Sequence, residues 1–296
     1  MSHRRLPPLL GMLFRTVTTV KRKPAKDRHL IQLPPSHEYN DIKLDLTHLA
    51  KYKAMFPALK GTLPLTYFYL LAQRAQLAMM LDSKFPFAIP GLVHVSNRMA
   101  FAHQTEPGTP FSVSISARLD PEAKDGTERI IFEMTFMQHS QVVVRNTSVY
   151  FARTKKPSHS HDSVTSKTTT RQEKALIDVH LSKTWNLKAN VGRQYAHLSG
   201  DYNPIHLHKY LSRGFGFKQP IIHGMYLQAL TQGAIEEKIG REVTMMDIHF
   251  KKPVMIPNRV KLSVSEPSNH QFQLRSGNLC ELHLEGGYGL SQTSSP

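Results

Sequence analysis

The chain has 296 residues, 40% of them hydrophobic, enough for one large core or two ordinary ones, and two is the better division. Its one cysteine, Cys280, excludes an intramolecular disulfide and any cysteine-built metal site, which fits a reducing compartment with the cytoplasm as default. Lysine and arginine number 38 against 22 acids, a formal charge of +16, and no run of eighteen apolar residues exists, so a membrane-spanning helix is excluded and anionic partners are expected.

Residues 1–39 read as a basic leader. Up to residue 26 it holds Arg4, Arg5, Arg15, Lys21, Arg22, Lys23 and Lys26 with no acid, around the short apolar run LPPLLGMLF. That run is too short for a secretory signal and has no clear small-residue cleavage site, while a transit peptide requires a source with organelles, so a basic leader on a cytosolic protein is expected.

Residues 40–153 form a first unit. LPLTYFYLLAQRAQLAMML, residues 63–81, reads as a long apolar helix after Pro64, and 92–101, 111–119, 129–139 and 142–153 read as strands. Glu106-Pro107-Gly108-Thr109-Pro110 and Lys124-Asp125-Gly126 supply turns. Residues 154–174, TKKPSHSHDSVTSKTTTRQEK, are nearly devoid of apolar side chains and read as an exposed linker, with His159 and His161 solvated rather than metal-binding.

Residues 175–290 repeat the plan. A strand near 177–182 leads into helical turns, a helix over 223–238, and strands at 244–250, 260–265, 271–275 and 279–288, where RVKLSVS and CELHLEG alternate as half-buried antiparallel strands do. Trp185 is expected at a sheet edge. Helix followed by antiparallel strands, twice over, makes the fold class α+β and the halves a degenerate repeat.

The chemistry concentrates in YAHLSGDYNPIHLHKYLSRGFGFKQPIIHGM, residues 195–225. Asn203 before Pro204 reads as a helix start, with Asn as cap and Pro where a missing N–H costs nothing. His206 then falls in the first turn, where the positive end of the helix dipole would keep the imidazole neutral. Asp201 sits just outside, so one water touching both side chains could be activated and its proton passed to carbon. Gly224 opens an apolar helix whose unpaired N–H groups could hold a developing oxyanion, with a thioester carbonyl as the natural guest.

These residues resemble the hydratase motif of the MaoC-like, or (R)-specific enoyl-CoA hydratase, family of hot-dog-fold proteins, in which several rare positions agree over about thirty residues. The resemblance implies a double hot-dog fold, each half a long helix wrapped by a curved antiparallel sheet, with the first half non-catalytic and able to make room for an acyl chain. It implies Asp201 and His206 as the catalytic pair, the Gly224 N–H as oxyanion donor, and reversible syn hydration of trans-2-enoyl thioesters to (3R)-hydroxyacyl products. Asn203, His223, Tyr195 and Ser199 shape the site, His223 by positioning and the last two chiefly by packing and capping. Two positions depart from the commonest pattern: His208 stands where many members carry Asp, and Gln232 where some carry a small hydroxyl residue.

No metal or redox cofactor is expected; CoA or phosphopantetheine enters as part of an acyl-CoA or acyl-carrier-protein substrate, and a homodimer of double units is a further expectation. Nucleic acid is not expected, because the basic residues are spread along the chain with no recognition helix, zinc module or aromatic RNA-binding signature. The alternatives are a non-catalytic acyl-thioester-binding hot-dog protein and an acyl-CoA thioesterase.

Overall fold

The computed structural model describes residues 5–25, 27–123, 127–153, 179–266 and 268–291. The linker residues 154–174, with His159 and His161, and the Lys124-Asp125-Gly126 turn lie outside these residues.

Among the described residues ten strands build one antiparallel sheet: β1 His37–Ile42, β2 Val93–Phe101, β3 Phe111–Leu119, β4 Thr127–Gln138, β5 Gln141–Arg153, β6 Leu181–Leu187, β7 Val243–Phe250, β8 Asn258–Val264, β9 Gln271–Ser276 and β10 Leu282–Leu290. Their spatial order is β1-β3-β4-β5-β2-β7-β10-β9-β8-β6. Cut at the β2–β7 seam, each half runs first, third, fourth, fifth, second. The seam itself is a ladder from Ser96↔His249 to Ala100↔Met245, with Arg98 and Asp247 ion-paired across it at 3.2 Å.

Each half wraps one long helix, α3 Phe68–Met80 in the first and α6 Gly224–Ile239 in the second. Both are buried over most of their surface because sheet lies on one side and loops or the other half on the rest. Their side chains and the inner faces of the strands merge into a single apolar core spanning both halves. β1 was not expected: in HEYNDI only Tyr39 and Ile42 are apolar, and its strand state comes from pairing with β3 (His37↔Ile115). β6 begins a few residues later than expected and forms the opposite edge, where Trp185 sits half-buried.

Residues near the N-terminus pack on the body. Helix α1, Leu9–Thr16, buries Leu9 and Met12 against Leu77 and Leu81 of the α3 end. Arg22 donates to the Met80 and Leu81 carbonyls, which are left without intrahelical partners at that end. Arg74 in turn donates to the carbonyls of Leu6 and Pro7.

Two polar ties join the halves. The Glu236 carboxylate accepts from the Lys60 and Val243 amides and from Gln232 Nε2, and Gln232 Oε1 accepts from the Thr66 amide. His48, on helix α2 Leu46–Met55, reaches the Leu198 carbonyl at 2.7 Å and the Tyr67 hydroxyl at 3.0 Å. Gln232 is therefore a fold residue here.

Candidate active site

The site is built where the second half enters its long helix. Helix α4, Val191–Ser199, ends on Gly200 at φ 75°, a left-handed cap that favours glycine. Asp201 leaves that cap with its amide donating to Ser199 Oγ and its Oδ1 accepting from the Asn203 amide, both at 3.2 Å. Asn203 caps a single 3-10 turn, Pro204–His206, through the Ile205 amide, with Pro204 in the first position as expected. A Cβ on Gly192 of α4 would stand 2.5 Å from the His206 carbonyl, so only glycine allows this turn to lie so close.

His206 is buried, and its Nδ1 lies 2.8 Å from the Ile221 carbonyl. A neutral ring donates there from Nδ1 and keeps the Nε2 lone pair available. His223 stands at the N-cap position of α6, and its Nε2 lies 3.0 Å from the Asp201 carbonyl, which ties the acid-bearing loop to that helix. The two imidazoles stack with centroids 3.7 Å apart. One ligand atom from each of Asp201, His206 and His223 lies within 4.8 Å of the others, a set whose donors could also hold a divalent cation.

Burial pushes the His206 pKa down, with Asp201 and the Ile221 carbonyl offsetting part of the effect. His223 is pushed down to about 3, first by burial and then by His206, against the opposing pull of Asp201. The dipole of the short turn was the expected reason for a neutral His206; desolvation is the larger cause, because the turn has only three residues and the ring is enclosed.

Gly224 is the first residue of α6, so its N–H belongs to the turn that has no intrahelical partner. A Cβ there would come within 2.6 Å of the Phe250 ring at the end of β7, which explains the glycine. Asp201 and Gly224 are half-buried while His206 and His223 are buried, so the acid and the helix start both remain accessible beside an enclosed imidazole pair. Tyr195 packs edge-on against His223 and Tyr226. His208 caps the short helix α5, Lys209–Arg213, by accepting from the Tyr210 amide.

Sequence reasoning missed that first-half side chains lie within the field of Asp201. Burial pushes the His94 pKa down to about 4 and raises those of Tyr69 and Tyr150, and in all three the Asp201 charge adds an upward pull. These residues come from three separate elements, and no spacing in the sequence connects them.

Residues 156–280 match the family model described as MaoC like domain. The 3-hydroxyacyl-thioester dehydratase X of Mycobacterium tuberculosis is 25% identical over 227 residues, 76% of this chain and 78% of that protein. The (R)-specific enoyl-CoA hydratase of Aeromonas caviae is 33% identical over 73 residues, 24% of this chain and 54% of that one. The crystal structure of HtdX from M. tuberculosis aligns with a TM-score of 0.69 at 20% identity, covering 86% of this chain and 99% of that one. Another M. tuberculosis protein, described as having a double hot-dog fold, aligns at 0.56 with 10% identity over 86% of this chain and 97% of that one. The chain therefore has the double hot-dog fold, and residues 156–280 of it match a MaoC like domain.

Proposed function

We propose that the protein is an (R)-specific hydratase and dehydratase of acyl thioesters, adding water reversibly and syn across trans-2-enoyl-CoA or enoyl-carrier-protein substrates in fatty acid metabolism. The observation that carries this reading is the convergence of the Asp201 carboxylate and His206 beside the open start of α6. One ring nitrogen of His206 lies within 4.8 Å of an Asp201 carboxylate oxygen, a proximity on the scale of the about 5.6 Å that two ordinary hydrogen bonds to one water can bridge.

Both groups are acceptors in their resting forms, since His206 commits its Nδ1–H to Ile221. A water between them gives one hydrogen to each and turns its lone pairs outward, toward the β carbon of a bound enoyl group. The thioester carbonyl accepts from the Gly224 N–H, which stabilises the enolate-like charge as the C–O bond forms. The pair takes one proton from the water and delivers one to the α carbon, on the same face, so protons balance and addition is syn. Asp201 and His206 act as one acid/base pair in this scheme. Asn203, Ser199 and His223 hold the loop in place, and Tyr195 packs behind it.

Part of the same proposal are a non-catalytic first unit over 40–153, a catalytic unit over 175–290, no metal or redox cofactor, a cytoplasmic setting and a homodimer of double units. The test is hydration of crotonyl-CoA and longer trans-2-enoyl-CoA substrates, followed by loss of enoyl absorbance with a thiol reagent present. Loss of absorbance without thiol release supports the reading. Thiol release would mean a thioesterase, and tight binding with no turnover a non-catalytic acyl-binding protein.

A further inference from the structure

The first half holds a polar cluster that the proposed reaction does not use. His94 and Tyr150 are direct cross-strand partners on β2 and β5, and their rings stack in parallel with centroids 4.6 Å apart. Tyr69 of α3 stacks on His94 at 5.7 Å. The two tyrosine hydroxyls are 3.2 Å apart, the Tyr69 hydroxyl is 3.4 Å from His94 Nδ1, and the Tyr150 hydroxyl donates to Gln76 Oε1 at 3.4 Å.

Side chains that only fill a core need none of these polar atoms, and burying them is costly unless they are paired. Yet His94 Nε2 and Gln76 Nε2 are shut off from solvent and meet no partner of good hydrogen-bond geometry. Native structures leave few such atoms, so each asks for a cause. The Gln76 amide lacks an acceptor. The His94 ring, held neutral by burial against the opposing pull of a backbone contact at Ser96, has no well-formed hydrogen bond at Nε2, where an acceptor or a donor would fit according to which nitrogen carries its proton. A hydroxyl group serves either tautomer.

The cluster borders the candidate site. The Phe250 ring packs on His94 at 5.2 Å between centroids and also covers the α carbon of Gly224. One aromatic ring thus separates the donor for the thioester carbonyl from the stacked trio. In the acyl-thioester reading, the first half is where room for an acyl chain past its reacting carbons is expected.

We infer that Tyr69, Gln76, His94 and Tyr150 form a polar subsite for a hydroxyl group on the acyl chain, beyond the carbons that react. This rests on the reading of the site as an acyl-thioester site, and it makes the first half a selector of oxygenated chains rather than a passive alkyl tunnel.

The experiment is calorimetric titration of the full-length protein with hexanoyl-CoA and with 4-, 5- and 6-hydroxyhexanoyl-CoA, all saturated and so unreactive toward hydration. At least one hydroxylated thioester is expected to bind about tenfold more tightly than hexanoyl-CoA, the worth of one buried hydrogen bond. The ratio falls to about one in His94→Leu and in Tyr150→Phe, the latter removing a single oxygen and keeping the stack. Equal affinities in the wild type, no binding of any thioester, or a preference that survives both substitutions would overturn the inference. Crotonyl-CoA hydration by the same preparation separates the two ideas: turnover without hydroxyl preference removes the subsite alone, whereas hydroxyl preference without turnover removes the reaction and keeps the subsite.

Discussion

The two halves share a strand order and a long buried helix, but they open that helix differently. Between β6 and α6 the second half inserts α4, the Pro204–His206 turn and α5, which hang Asp201 and His206 beside a helix start that Gly224 keeps accessible. Between β1 and α3 the first half has α2, and Leu65, Thr66 and Tyr67 stand buried at the helix entrance. The Thr66 amide there is already taken by Gln232 Oε1. A helix start becomes an oxyanion site only when its N–H groups are left for a ligand and an acid/base pair is brought to it; the shared fold supplies the helix twice and the loop once.

The sharpest way to break this contrast is to remove the pair. Asp201→Asn and His206→Ala should each lower crotonyl-CoA hydration by about 10²–10⁴-fold with the fold intact by circular dichroism. Unchanged turnover in both would take the pair out of the mechanism. Next comes the helix start: Gly224→Ala forces a methyl into the Phe250 ring and should cost about 10²–10³-fold in kcat, as loss of an oxyanion donor does. Adding Phe250→Leu relieves that contact and should recover part of the rate, so a double variant no better than the single one would contradict the steric account.

The tie between the halves is a stability matter. Glu236→Ala strands the Lys60 and Val243 amides and should lower unfolding stability by about 2–3 kcal/mol in denaturant titration.

Acid sensitivity is shared by both halves. His94, His206 and His223 all have folded pKa values depressed by burial, so unfolding takes up protons below the ordinary histidine value. Stability is full above about pH 6.5 and falls on acidification by about 1.4 kcal/mol per pH unit for each such histidine, down to about pH 4 for His94 and about 3 for His223. Glu236, raised by burial, acts in the opposite sense near its own range. Thermal melts from pH 7 to 5 check the sign, and a melting point that rises on acidification would contradict it. The smallest effect belongs to Tyr195→Phe, whose ring packs on His223 and whose loss of a hydroxyl should change kcat by less than about threefold.

The candidate site was legible because its chemistry is local. Asp201, Asn203, Pro204 and His206 lie within six residues, and the spacing of caps, turn and helix start is fixed by backbone geometry that sequence displays. Most strands were legible through period-two alternation, as in RVKLSVS, which becomes β8. β1 was not, since its state depends on a partner more than seventy residues away, as the His37↔Ile115 register records. The reason His206 stays neutral was read as a dipole effect, because enclosure of a ring by distant segments leaves no mark in the sequence around it. The Tyr69, His94 and Tyr150 stack is invisible for the same reason: only the β2–β5 register and the seating of α3 bring the three rings together.

The central claim is that the acid/base pair and the helix start act on the same face of one enoyl thioester. Crotonyl-CoA hydrated in heavy water, with the product analysed by NMR and chiral chromatography, tests it most directly. The account predicts (3R)-hydroxybutyryl-CoA with one deuterium placed at the α carbon syn to the new hydroxyl. A (3S) product, deuterium distributed over both faces, or free CoA in place of a hydroxyacyl thioester would contradict it.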